Sequence, residues 1–90
     1  MDFQYQHDKI INKFRSVLFS EGDYFERHHI IPRCMGGSDD ETNIIRLTPK
    51  AHFTIHHLLC KIHPGNSKLA SAFHLMCYHT SPNRKIGTNN

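Results

Sequence analysis

Four imidazoles stand out by their spacing: His28 and His29 side by side, then His52 and His56 four residues apart. The stretch that holds them, Glu26 to His57, reads ERHHIIPRCMGGSDDETNIIRLTPKAHFTIHH, with a Gly-Gly turn and an Asn leading an apolar run. Imidazole is the common ligand of transition metals and the side chain that exchanges protons near neutral pH. Clustered this way, the residues suit a single-metal hydrolytic site. Three protein ligands with open positions is the catalytic pattern, whereas structural zinc is closed by four. An imidazole beside the ion but not bound to it is what hydrolysis needs as a general base.

The surrounding elements must position these groups. Ile10, Phe14, Val17 and Leu18 fall at helical spacing and predict an amphipathic helix over residues 8–19, ended by Ser20-Glu21-Gly22-Asp23. Residues 24–31 read as a strand closed by Pro32, and residues 33–43 as a loop in which Gly36-Gly37 permits positive φ. Residues 43–47 form a second strand, pairing with the first as an antiparallel hairpin. Thr48-Pro49 begins a helix that runs to Ile62 and stops at His63-Pro64-Gly65, with Ala51, Ile55, Leu58, Leu59 and Ile62 as its buried stripe. A last helix, from Ser67 to about residue 79, is capped by Asn66 and packs Leu69, Ala72, Phe73 and Met76 inward; Phe53 and Tyr78 are also expected in the core. The tail from Ser81 is polar and expected to fray. The fold class is α+β: a hairpin plus helix, flanked by an N-terminal and a C-terminal helix, in a single domain over residues 1–90.

On such elements His52 and His56 project from one helix face, about 6 Å apart at Cβ. That pair alone is a weak signal. His57 lies roughly 140° around from His52, and His63 about 10 Å further along the helix, so neither joins the same ion. On a strand, successive side chains point to opposite faces, so only one of His28 and His29 can face an ion held against the helix. The pair divides into a ligand and something else.

Composition narrows the partners. Ninety residues with 38% hydrophobic content give a thin core, since a chain this size buries only about 60% of its unfolded surface; a bound metal would add stability. All eight carboxylates lie at or before Glu41, while residues 42–90 carry Arg46, Lys50, Lys61, Lys68, Arg84 and Lys85 and no acid. That asymmetry points to a polyanion, nucleic acid before membrane. Three Cys with no CxxC pair argue against a disulfide framework and for a reducing compartment. The polar MDFQYQHDK start and short apolar runs predict no signal peptide and no membrane span, so the cytoplasm is expected. Cys60-x-x-His63 and His74-x-x-Cys77 could hold a structural zinc, or the cysteines could be small core residues.

The run HHIIPRCMGG, then Asn43, then His52 with His56, resembles the HNH endonuclease motif on a ββα-metal scaffold, over about residues 24–60. The resemblance is to the His-His branch and to enzymes of phage and bacterial mobile elements, which places the protein in a bacterial or phage-infected cell. It implies that His28 binds metal with His52 and His56, that His29 is the general base, and that Asn43 ties the loop together and helps orient that base. The implied reaction is metal-assisted hydrolysis of DNA, most naturally double-stranded, leaving a 5′-phosphate. Many HNH enzymes have Asp at the first metal position; His28 makes this ligand set all nitrogen, favouring Zn²⁺, Ni²⁺ or Mn²⁺ over Mg²⁺. Arg33, Arg27, Arg46 and Lys50 are candidates for phosphate contacts, Arg33 foremost. Specificity is expected to be low, or to come from a homodimer mate or protein partner. The competing expectation is a non-catalytic, metal-stabilised nucleic-acid-binding module, which needs a fourth ligand and no free base.

Overall fold

The computed structural model describes residues 2–78. Its first helix, α1, spans Phe3–Arg15, beginning and ending earlier than apolar spacing predicts. Two local causes account for the shift. The Asp2 carboxylate accepts from the Tyr5 N–H at 2.9 Å, a cap that starts the helix at once. At the other end the Ser16 hydroxyl donates to the Lys13 carbonyl at 3.1 Å and draws the backbone out of register. The buried positions of α1 are His7 and Ile11, so an imidazole occupies a core site that counting apolar residues overlooks. Leu18, expected inside, lies beyond the helix and is 93% exposed.

Strands β1 (Glu26–His29) and β2 (Ile44–Leu47) pair antiparallel, with Glu26 opposite Leu47, Arg27 opposite Arg46, His28 opposite Ile45 and His29 opposite Ile44. Both are shorter than predicted, although the Ile30 N–H still reaches the Asn43 carbonyl at 2.8 Å. Arginines facing each other across a ladder repel. Each has another partner: Arg27 bonds Glu41 at 2.7 Å, and the Arg46 guanidinium lies 4.7 Å from the Phe25 ring centroid.

The connection between the strands is more ordered than a plain loop. It contains 3-10 turns at Arg33–Met35 and Glu41–Asn43. Gly36 takes φ +89° at the end of the first turn, the left-handed conformation that favours glycine. Gly37 is needed for a different reason: a Cβ there would collide with the Ile31 carbonyl and press on the Asn43 amide. Asn43 is buried and binds both sides of the loop. Its Oδ1 accepts from the Ile31 N–H at 2.9 Å, and its Nδ2 donates to the carbonyls of Ile31 and Ser38 at 3.0 and 2.8 Å.

Helix α2 (Pro49–Ile62) has the predicted bounds, capped by the Thr48 hydroxyl accepting from the Ala51 N–H. Ile55, Leu58 and Leu59 are buried; Ala51 and Ile62 are half-buried. Helix α3 (Ser67–Tyr78) is capped by Asn66, whose Oδ1 accepts from the N–H groups of Lys68 and Leu69. Only Leu69 of its expected inward face is fully buried, with Ala72, Phe73 and Met76 half-buried. Tyr78, expected in the core, is 73% exposed. It sits on the last turn, with its ring against His74 of the same helix, centroids 4.6 Å apart. Residue 79 and the tail lie outside the described residues.

Ile11, Ile45, Leu47, Ile55, Leu59 and Leu69 form the core, drawn from α1, β2, α2 and α3. β2 and α2 are thereby clamped together, and the hairpin carries β1 over the N-terminal half of α2. No helix among the described residues is long and apolar enough to cross a membrane.

Candidate metal centre

His28 reaches the cluster from β1, and His52 and His56 from successive turns of α2. The ring centroids are 5.1 Å apart for His28 and His52, 5.0 Å for His28 and His56, and 4.8 Å for His52 and His56, all edge-on. One nitrogen from each ring lies within 4.8 Å of the other two, the separation at which they could share an ion.

His28 is 3% exposed, and its Nε2 is buried with no hydrogen-bond partner. An unsatisfied buried nitrogen destabilises a fold by about 1–3 kcal/mol unless something binds it. Burial first, and then the neighbouring charges of His56 and His52, lower the pKa of His28 from 6.5 to about 2. The ring is therefore a neutral donor across the working pH range, as a metal ligand must be. These properties fit a divalent ion with affinity for nitrogen.

His52 is held from behind. Its Nδ1 is 2.7 Å from Oε1 of Glu26, with both side chains largely buried. The other oxygen of Glu26 accepts from the Tyr24 hydroxyl at 2.8 Å. An ionised carboxylate can only accept, so the proton sits on Nδ1 and Nε2 carries the lone pair, the donor that an ion would take. The sequence reading missed Glu26. The signal was present: a residue two before His28 on a strand shares its face.

His29 leaves the strand on the other side of the pleat, yet lines the same concavity of about 290 Å³ as His28, His52 and His56. Its Nε2 is 2.8 Å from Oδ1 of Asp39, and the Arg33 Nε donates to that same oxygen at 2.9 Å. The bonds from His29 and Arg33 hold the Asp39 carboxyl below the ordinary carboxylate range. Asn43 takes no direct part in the cluster; it fastens Ile31 to Ser38, next to Asp39. Of the four cations proposed for phosphate, Arg27 and Arg33 line the concavity, while Arg46 and Lys50 border others. Lys68, not singled out from sequence, lines it from the first turn of α3. A cation in the first turn of a helix opposes the helix dipole, which could have flagged it.

His57 and His63 lie apart from the cluster, as expected. His57 stacks on Phe73 with centroids 5.0 Å apart, and His63 caps the end of α2. Cys60 points its Sγ at the Leu69 carbonyl, burial raises its pKa, and Cys77 is exposed. Among the described residues the group able to hold an ion is His28, His52 and His56, so the fold does not assemble Cys60, His63, His74 and Cys77 into a second site.

No protein-family profile matches the chain, and no solved structure does. It is 57% identical over 61 residues to "Probable mobile endonuclease B" of Enterobacteria phage T4, covering 68% of this chain and 23% of that protein. It is 54% identical over 55 residues to "Probable mobile endonuclease E" of the same phage, covering 61% of this chain and 38% of the relative. Over the matched stretch the chain is similar to these phage mobile endonucleases. To "Probable mobile endonuclease C" of that phage it is 53% identical over 62 residues, 69% of this chain and 28% of the relative. The chain thus spans about a quarter to two-fifths of the length of the mobile endonucleases it matches.

Proposed function

We propose that the chain is a metal-dependent endonuclease of the HNH type that hydrolyses DNA phosphodiester bonds. The observation that carries this reading is the division of labour in one concavity: three convergent imidazoles, and a fourth that faces the same space while bonded elsewhere. The names of the phage T4 relatives support a nuclease. Among the described residues no fourth ligand atom joins the three, which favours an open catalytic site over a closed structural zinc.

His28, His52 and His56 would hold the ion. When bound, it supplies positive charge to the phosphate and to the departing 3′ oxygen. His29 accepts a proton from the water that attacks phosphorus in line; the new P–O bond forms as the P–O3′ bond breaks, leaving a 5′-phosphate. Arg33 and Arg27, with Arg46 and Lys50 further out, hold the flanking phosphates. Asn43 keeps the loop from Ile31 to Ser38 in place behind His29. Three neutral imidazoles favour Zn²⁺, Ni²⁺ or Mn²⁺ over Mg²⁺.

Incubation with supercoiled plasmid tests the reading. Chelator should stop conversion to open circles, and one of Mn²⁺, Ni²⁺, Zn²⁺ or Mg²⁺ should restore it. DNA binding and metal binding without cleavage in any of these ions would replace it with a binding module.

A further inference from the structure

We infer that Asp39 is a positioning residue for His29, fixing the ring as the Nε2–H tautomer and leaving Nδ1 as the nitrogen that takes the proton from water. This rests on the reading of His29 as general base. The first ground is the contact itself: Nε2 of His29 lies 2.8 Å from Oδ1 of Asp39. An ionised carboxylate is acceptor-only, so Nε2 carries the proton and, in the neutral ring, Nδ1 carries the lone pair. A base that could take either tautomer would spend part of its time with a proton where it needs a lone pair.

The second ground is that the contact has little to offer stability. The Asp39 side chain is 69% exposed and that of His29 is 28% exposed, a setting in which ion pairs contribute little. The surrounding chain is nonetheless built to deliver it. Gly36 turns the backbone, Gly37 lets it pass against Ile31, and Asn43 grips the Ser38 carbonyl immediately before Asp39. Three separate devices converge on the position of one exposed carboxylate. The third ground is Arg33, whose Nε donates to the same Oδ1 at 2.9 Å. It holds the same carboxylate oxygen, so that His29 and Arg33 are tied together where both line the cavity.

The test has two readouts. Long-range ¹⁵N correlation spectra of the full chain report the tautomer of His29 directly, with or without activity. The wild type should show Nε2–H with bare Nδ1, and Asp39→Ala should shift His29 toward a mixture. In cleavage assays Asp39→Asn should lower kcat about 10- to 100-fold, with KM and metal affinity little changed and Asp39→Glu partly restoring the rate. In a His29→Ala background Asp39→Asn should have no further effect on residual cleavage, since both act through one group. A wild-type ring protonated on Nδ1, a ring unaffected by Asp39→Ala, or a loss that persists in full in the His29→Ala background would overturn the inference. If the tautomer is as stated but no ion supports cleavage, the endonuclease reading fails while the coupling between the two residues stands.

Discussion

Glu26 and His52 are far apart in the chain, yet Oε1 of the one lies 2.7 Å from Nδ1 of the other. The hairpin makes the meeting: β1 carries Glu26 on the same face as His28, and α2 brings His52 up beneath it. The carboxylate thereby fixes which nitrogen of His52 carries the proton and which carries the lone pair.

Glu26→Gln should therefore weaken metal binding about 10- to 100-fold, the usual effect of removing a carboxylate behind a ligating imidazole. Calorimetric titration with Zn²⁺ or Mn²⁺ measures it, with circular dichroism confirming an intact fold. Unchanged affinity would mean that Glu26 serves the hairpin alone.

Burial sets the pH dependence of the metal-free chain. His28 has its pKa lowered from 6.5 to about 2 in the fold, so between those values the unfolded chain takes up a proton that the native one refuses. Stability is complete above pH 6.5 and falls as pH drops below it, by about 1.4 kcal/mol per pH unit for one such group. Urea midpoints measured between pH 5 and 7.5 should decline toward acid. His28→Leu, which has nothing to protonate, should flatten the slope. A slope unaltered by that substitution would assign the acid sensitivity to other histidines.

Gly37→Ala should be far more damaging than Gly36→Ala, although Gly36 has the positive φ. The Gly36 position has open space around it, while a methyl at Gly37 meets backbone that cannot swing aside. Overpacking of this kind destabilises by about 1–3 kcal/mol or more, and here it would also push Asp39 away from His29. Thermal unfolding of the two variants checks the order, and cleavage rates check the displacement.

These particulars show which parts of the molecule were legible in the sequence. Helix α2 was, because Thr48-Pro49 and His63-Pro64-Gly65 are strong local punctuation and the apolar stripe between them is regular. The His28, His52 and His56 cluster was legible because spacing of four on a helix and alternation on a strand leave few ways to assemble it. Helix α1 was misplaced because its core position at His7 is polar and its cap, Asp2, stands at the chain start. Leu18 falls at helical spacing but the helix ends at Arg15 before reaching it, and Tyr78 is expected in the core on side-chain type, which says nothing about its place on the last turn. The role of Asp39 is not legible because its position depends on the loop path set by Gly37 and Asn43, whereas Glu26 shares a strand face with His28 and was legible in principle.

The cations divide by location. Arg33 and Lys68 line the cavity and Arg46 does not. Arg33→Ala and Lys68→Ala should each reduce the slope of log affinity against log salt by about 0.9, measured by fluorescence anisotropy with a DNA duplex. Arg46→Ala should change it less, because its guanidinium rests on Phe25. Equal slopes for all three variants would show that DNA does not enter this concavity.

The most direct test is His29→Ala, measured for metal binding and plasmid cleavage on the same preparation. The variant should bind one equivalent of ion with nearly wild-type affinity, because His29 bonds Asp39 and not the cluster, and its cleavage should fall about 100- to 10,000-fold, to a small residual rate. Loss of the ion together with activity would make His29 a ligand, and cleavage retained at the wild-type rate would remove it from the chemistry altogether.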